Sequence, residues 1–252
     1  MSTPVFSIIT VTYNAAQWLE RTLLSVLRQS YPHVEYLIID GGSTDGTVEL
    51  IEQYQSGIAY WISEPDRGLY DAMNKGLRRA TGDYVLFLNA GDCLHTANTL
   101  QEITASLKKS VSLPDVIYGD TQIVDAEGNS LGLRRLRPPR RLTWKSFRMG
   151  MLVCHQSFIA RREIAPSYDT TYKLVADYDW CIQCLKKAKG IKNTRMILSD
   201  FLEEGLSTVQ RKASLKERYA IMTKYYGPVS TLLLHGWFAI RFYAAKGLKG
   251  RV

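Results

Sequence analysis

The chain has 252 residues, 46% of them hydrophobic, and 32 lysines and arginines against 24 aspartates and glutamates set a formal charge of +8. That length and apolar content exclude a disordered chain and leave room for one large α/β domain or a domain with an extension. The basic balance calls for an acidic partner, whether nucleic acid, an anionic membrane face or a phosphorylated substrate, and the cysteines, Cys93, Cys154, Cys181 and Cys184, are too sparse for a disulfide framework.

The N-terminus lacks a basic region followed by a long apolar core, so no secretory signal is read and a reduced cytoplasmic setting is expected. FSIITVTY reads as a buried strand. Over Ala15 to Gln29, Trp18, Leu19, Leu23, Val26 and Leu27 recur at helical spacing, with Asn14 as the expected N-cap. YLIID is a second strand, Gly41-Gly42 turns the chain, and Thr44 or Asp45 opens a helix through Tyr54. IAYWIS is a third strand, Gly68 to Ala80 a helix stopped by Gly82, DYVLFLN a fourth strand, and Thr99 to Lys109 a helix. Strands alternating with helices predict a mostly parallel central sheet flanked by helices. Ligands of such sheets bind beyond the carboxyl ends of the strands. The polar segments Thr12 to Asn14, Asp40 to Asp45, Glu64 to Arg67 and Asn89 to Asp92 all fall there.

Farther on, DVIYGDTQIVDAEGNSLG reads as a hairpin turning at Glu127-Gly128-Asn129. LRRLRPPRR is a non-helical basic loop, either solvated or a contact for an anionic acceptor or membrane. Asp177 to Lys189 is a helix in which Cys181 and Cys184 pack rather than bind zinc, because no second pair completes four ligands. TRMILSDFLEEG is a strand running into a loop. We divide the chain into a domain of residues 1–209 and a basic helical extension, 210–252. The apolar run near the end is interrupted by His235 and Arg241 and falls short of the about 20 apolar residues of a spanning helix. Trp237, Phe238, Phe242 and Tyr243 beside Arg241, Lys246, Lys249 and Arg251 suit a helix lying on a membrane surface, with packing onto the domain or an oligomer contact as the alternatives.

Carboxylates at the ends of buried strands are costly unless they bind something. No GxGxxG turn or P-loop follows the first strand, which disfavours dinucleotide oxidoreductases and P-loop kinases. Carboxylates near phosphates instead imply a bridging Mg2+ or Mn2+. The stretch SIITVTYNAAQWLERTLLSVLRQSYPHVEYLIIDGGSTDGT resembles the opening of the family 2 glycosyltransferases, and DRGLYDAMNKGLRRATGDYVLFLNAGD resembles their next signature block. VADYDW and EEGLS are similar to the later blocks, in order, so that the likeness runs from Phe6 to Ser207.

The resemblance implies the GT-A fold and a set of roles. Thr12, Tyr13 and Asn14 would line the nucleotide pocket, Asp40 would receive the base or ribose, and Asp45 would order that loop. Arg67 would lie near the diphosphate, Asn89 would reach a ribose hydroxyl, Asp92 would hold the Mn2+ or Mg2+, and Asp177 would be the catalytic base. His155 and Gln156 fall where such enzymes contact sugar or acceptor. Each also has a plainer reading. Asp40, Asp45 and Asp92 suit loop caps, Asp177 suits a helix N-cap, and Asp179 is a rival base; Tyr70 and Trp61 suit packing. The chain departs from the family at the metal block, where Asn89-Ala90-Gly91-Asp92 keeps a single carboxylate, and Ala176 replaces the Glu of the later block.

The implied enzyme is an inverting glycosyltransferase using a nucleotide-diphosphate sugar, a UDP-sugar by family habit. Its acceptor would be a lipid-linked glycan of surface polysaccharide, and it would sit peripherally on the inner face of the cytoplasmic membrane. A nucleotidyltransferase or a non-catalytic nucleotide-sugar binder is the alternative. Nucleic-acid binding is not expected, since no aromatic-basic RNA motif is present.

Overall fold

The apolar runs of the first half become strands of a single sheet. In the computed structural model, which describes residues 3–108, 112–203 and 211–249, β1 (Phe6–Thr12) is buried along its whole length, as a strand covered on both faces must be. β2 (Val34–Asp40) and then β3 (Tyr60–Ser63) lie parallel on one side of it, and β4 (Tyr84–Phe87) lies parallel on the other. The register sets Thr12 beside Asp40 and Asp40 beside Ser63, so the carboxyl ends of these strands finish level. Helices α1 (Ala16–Leu27), α2 (Thr47–Gln53) and α3 (Leu69–Arg79) alternate with the strands, and α4 (Thr99–Leu107) follows β5 (Cys93–Leu94).

The second half of the sheet is mixed. β6 (Val116–Val124) and β7 (Ser130–Leu133) form the expected hairpin. β8 (Phe158–Arg161), a short strand without a periodic signature, inserts between β4 and β6 and runs antiparallel to both. β9 (Ile191–Leu202) pairs parallel with β6 and antiparallel with β5, which gives the order β3-β2-β1-β4-β8-β6-β9-β5.

Successive residues of a strand face opposite sides, and the sheet accordingly carries a core on each face. Phe6, Ile8, Tyr36, Ile38 and Leu86 pack with Leu19, Leu23 and Val26 of α1. Ile9, Val11, Ile39, Phe87 and Phe158 pack with α5 (Ala176–Lys187), whose Trp180 is fully buried. Trp180 stacks on Tyr168 at 5.2 Å and meets Phe87 edge-on at 5.8 Å. Burying such a ring stabilises by roughly 1.5–3 kcal/mol, which seats α5 firmly against the sheet.

The described C-terminal segment forms α6 (Arg211–Tyr226) and α7 (Pro228–Lys249). Ile221 and Met222 of α6 are fully buried against the face that holds α5. On α7, Leu234 and Phe238 pack on that same cluster, while Val229, Leu232, Leu233, Trp237 and Ile240 are exposed. No helix among the described residues is long and apolar enough to cross a membrane. Most of the EEGLS block, the whole of Arg251, and the side chains of Arg241, Phe242, Tyr243, Lys246 and Lys249 lie outside the described residues.

Candidate active site

The level carboxyl ends of β1 to β3, with the segment that continues past β4, gather the polar groups along one edge. After β1, Thr12 is buried with its hydroxyl unpartnered, Tyr13 is 64% exposed, and Asn14 takes a left-handed backbone, φ 47°. Asn is one of the few non-glycine residues that adopts this conformation readily. Its side chain accepts from Thr44 N at 3.0 Å and its own N–H donates to Ser43 Oγ at 2.8 Å. Asn14 is therefore not the N-cap expected of it. The leading amides of α1 are met from across the edge, Ala16 N by Asp45 Oδ2 at 3.1 Å and Ala15 N by Thr47 Oγ1 at 3.0 Å. The other Asp45 oxygen accepts from Thr47 N and Thr47 Oγ1, and these bonds hold its carboxyl below the usual carboxylate range.

Asp40 is fully buried. Its Oδ2 accepts from Gly42 N at 3.0 Å, Ser43 N at 2.8 Å and Ser63 Oγ at 2.6 Å, and Oδ1 accepts from Ser43 Oγ. The carboxylate is consumed in shaping the Gly41–Ser43 turn and tying it to β3. A free carboxylate stands nearby. Asp66 Oδ1 accepts from Gly68 N at 2.7 Å, no donor reaches Oδ2 among the described residues, and Oδ2 sits 2.6 Å from where a Cβ on Gly41 would be. The ring of Tyr13 borders the same point at 3.3 Å. Only glycine at position 41 leaves that space. Arg67, next in the chain, is paired with Asp71 at 3.0 Å and its side chain is 83% exposed.

Beyond β4, Asn89 Oδ1 is buried without a partner. Asp92 is buried, its Oδ2 accepting from Gln156 Nε2 at 2.7 Å and its Oδ1 from Leu202 N at 3.1 Å. Burial pushes its carboxyl up to about 7, against the pull of those two donors and of Arg21. Gly91 has φ +99°, and a Cβ there would lie 2.8 Å from Leu202 Cδ2. The turn thus has no room for a second carboxylate at 91, which accounts for the sparse metal block.

Gln156 and His155 arrive by an unforeseen route. Because β8 runs antiparallel to β4, the turn that precedes it lies beside the end of β4. Gln156 supports Asp92. His155 is a core histidine, stacked on Phe87 at 5.3 Å and bonded through Nε2 to Tyr168 Oη at 2.6 Å, and burial lowers its pKa. All four cysteines are free and buried, and among the described residues no group of three or more His, Cys, Asp or Glu could hold a metal.

Helix α5 brings Asp177 to the edge through α3. Tyr70 Oη donates to Asp177 Oδ1 at 3.1 Å. Tyr70 does pack, as expected, against Tyr168 at 5.5 Å, and its hydroxyl additionally orients this carboxylate. Asp177 is half-buried. Its rival Asp179 is fully buried, bonded to Gln183 and to Lys224 Nζ at 3.0 Å. Gln156 bonds Asp92, its neighbour His155 bonds Tyr168, and Tyr168 stacks on Tyr70, the donor to Asp177, so one chain of contacts joins the turn after β4 to α5. Asp66, within the flagged Glu64 to Arg67 segment, and Tyr70, read as packing, are the contributors not singled out as site residues.

This arrangement offers a turn-rich edge with a free carboxylate, a buried single-carboxylate turn and an accessible carboxylate held by a tyrosine. The set fits a Mg2+ or Mn2+ ion, which takes one or two protein carboxylates with the remaining ligands from substrate phosphates and water. Each Asp92 oxygen keeps a lone pair after its one hydrogen bond, and Asn89 Oδ1 has both.

A model of the family described as glycosyl transferase family 2 matches residues 7–168. A PGL/p-HBAD biosynthesis glycosyltransferase of Mycobacterium bovis is 32% identical over 229 residues, covering 86% of this chain and 84% of the relative. An uncharacterized glycosyltransferase of Mycobacterium tuberculosis is 31% identical over 82% of this chain and 78% of its own length. Among solved structures, TarS of S. aureus in complex with UDP has a TM-score of 0.69 at 17% identity, covering 98% of this chain and 75% of that one. The mannosyltransferase PcManGT of Pyrobaculum calidifontis, solved with GDP-Man and Mn2+, has a TM-score of 0.64 at 16% identity, covering 98% and 80%. These likenesses establish the GT-A fold.

Proposed function

The chain belongs to glycosyl transferase family 2, and from that premise we propose that it transfers a sugar with inversion from a UDP-sugar to a hydroxyl of a lipid-linked glycan. The observation that carries this reading is the half-buried Asp177 carboxylate, one oxygen held by Tyr70 and linked through Tyr168, His155 and Gln156 to the buried Asp92. Asp177 takes the proton of the acceptor hydroxyl as general base. The freed oxygen attacks the anomeric carbon from the face opposite the diphosphate, and with no enzyme nucleophile the configuration inverts, by the logic of inverting glycosidases. Asp92 and Asn89 are the residues that would hold a divalent cation, which when bound supplies neutralisation of the charge growing on the leaving diphosphate. Arg67, exposed and paired with Asp71, would turn its positive charge to the diphosphate.

Nucleotide recognition falls to the turn that Asp40 and Asp45 build. Tyr13 offers an exposed ring for the base, and the free Asp66 oxygen accepts its imide N–H. Uracil carries that donor and cytosine does not. A thermal-shift screen of UDP-, GDP- and CDP-sugars, with and without Mn2+, tests the reading. The largest stabilisation is expected with a UDP-sugar plus Mn2+, and a screen in which no nucleotide sugar raised Tm would defeat it. Asp66→Ala should weaken UDP by about tenfold to a hundredfold, the worth of a hydrogen bond to a charged group, and erase the preference for UDP over CDP. Calorimetric titration of both nucleotides checks this.

The acceptor side rests on α7. Its exposed Val229, Leu232, Leu233, Trp237 and Ile240, with the exposed Arg135, Arg140 and Arg141 of the basic loop, suit an anionic membrane surface. Leu233→Glu with Trp237→Ala should release the protein from phosphatidylglycerol vesicles in a sedimentation assay while leaving Tm within a few degrees. Equal vesicle binding by the variant would remove the membrane from this reading.

A further inference from the structure

The residues that flank Asp177 are gripped from a distant part of the chain. Both carboxylate oxygens of Glu217, on α6, accept main-chain N–H groups from the turn that leads into α5. Lys173 N donates to Oε1 at 2.9 Å, and Leu174 N and Val175 N donate to Oε2 at 2.9 and 3.2 Å. These are consecutive amides, ending two residues before Asp177. The seam continues past it. Arg218 lies over the Tyr178 ring at 5.5 Å, and Lys224 pairs with the buried Asp179 at 3.0 Å. Neither Glu217 nor its helix lies within the span matched by the family model, which ends at residue 168.

We infer that Glu217 is a positioning residue, which sets the location of the Asp177 carboxylate by binding the amides of residues 173–175. This rests on the reading of Asp177 as the general base. The physical case is one of competing tethers. Tyr70 fixes one Asp177 oxygen from the sheet side, but a single hydrogen bond leaves the carboxylate free to pivot with its backbone. The turn at 173–175 has unpaired amides to satisfy as it enters a helix. A carboxylate that takes three of them at once makes charge-assisted bonds and locks the helix start in one place. Catalytic groups tolerate little displacement, since about 1 Å of misplacement costs on the order of 100-fold in rate.

The test uses the full-length protein with Glu217→Gln, Glu217→Ala and, as a control for general loosening of α6, Ile221→Ala, which opens a cavity on the same helix while leaving the Glu217 hydrogen bonds to the 173–175 amides in place. UDP-GlcNAc and GDP-mannose serve as donor probes, and nucleotide release is followed with Mn2+ present. Glu217→Ala is expected to lower kcat by roughly tenfold to a hundredfold with donor KM within about twofold, and Glu217→Gln is expected to fall between it and the parent. Hydrogen exchange of the 173–175 amides should quicken in Glu217→Ala by at least about tenfold, the loss of one such bond, and stay at the parental rate relative to global stability in Ile221→Ala. On an Asp177→Asn background, Glu217→Ala should cause no further loss of kcat, since residues acting through one group are non-additive. A kcat for Glu217→Ala within twofold of the parent, a loss matched by Ile221→Ala at equal Tm, or a full additional loss on the Asp177→Asn background would overturn the inference. If Asp177→Asn itself turns over normally, the base assignment fails instead, and unchanged exchange at 173–175 in Glu217→Ala would then dispose of the tether independently.

Discussion

Replacing Asp177 by Asn should lower sugar transfer by roughly 10^2- to 10^4-fold, the usual contribution of a general base, and leave nucleotide binding within a small factor. The substitution is close to isosteric. Tyr70 Oη now donates to Asp177 Oδ1 at 3.1 Å, and an amide oxygen accepts the same bond, so the helix start need not move. What disappears is the acceptor for the proton of the attacking hydroxyl. The loss should therefore fall on kcat and on kcat/KM alike, with the donor KM preserved. The matched change at the rival position behaves differently. Asp179 is fully buried against Lys224, so Asp179→Asn leaves a cation without its partner and should lower Tm more than it lowers kcat. Steady-state kinetics and thermal melts of the pair decide the assignment. Normal turnover by Asp177→Asn, or a kinetic collapse confined to Asp179→Asn, would transfer the role.

Asp92→Asn should be the second severe lesion, lowering Mn2+-dependent turnover by at least about 100-fold, because charge neutralisation by a bound cation is worth several kcal/mol. It should also abolish the Mn2+-induced rise in UDP-sugar affinity. The fold should tolerate the change, since Gln156 can turn its amide to meet a new N–H. The same variant isolates a pH effect in the metal-free protein. The folded carboxyl is pushed from 3.8 up to about 7 by burial. The folded state thus holds a proton that the unfolded chain has already released. This contribution to stability is full below the unfolded value and is lost as pH rises through about 7. In EDTA, the Tm of the parent should therefore fall relative to that of Asp92→Asn between about pH 5 and pH 8. Carboxylates held low, such as Asp45 and Asp71, act in the opposite sense at lower pH and cancel in the comparison. Parallel curves would mean that Asp92 stays ionised throughout and is already compensated.

The strands and the polar groups at their ends were legible because each is a local pattern. An apolar run in β1, β2 or β4 is buried on both faces, and its end must carry polar atoms wherever the chain leaves the sheet. Thr12, Asp40, Asn89 and Asp92 could be placed on one edge by that argument alone. What each side chain does there was not legible. Asp40 is read as a ligand group, yet its carboxylate is used up by Gly42, Ser43 and Ser63. Asp66, which looks like an ordinary loop acid, holds the free oxygen because Gly41 lacks a side chain. Asn14 looks like a cap, but the capping comes from Asp45, twenty-nine positions from the Ala16 amide that it meets.

The amino-acid sequence by itself determined the alternation of strands and helices, the edge on which the chemistry gathers, and the single carboxylate of the Asn89 to Asp92 turn. The tertiary structure alone decided that β8 enters antiparallel and delivers Gln156 to Asp92, that Asp177 rather than Asp179 is accessible, and that Glu217 reaches back to hold the turn before it. The reason is one of range. Periodicity and turn chemistry act over a few residues, whereas these contacts join positions 42 to 64 apart in the chain, where only packing of the whole sheet and its helices selects among the possible partners.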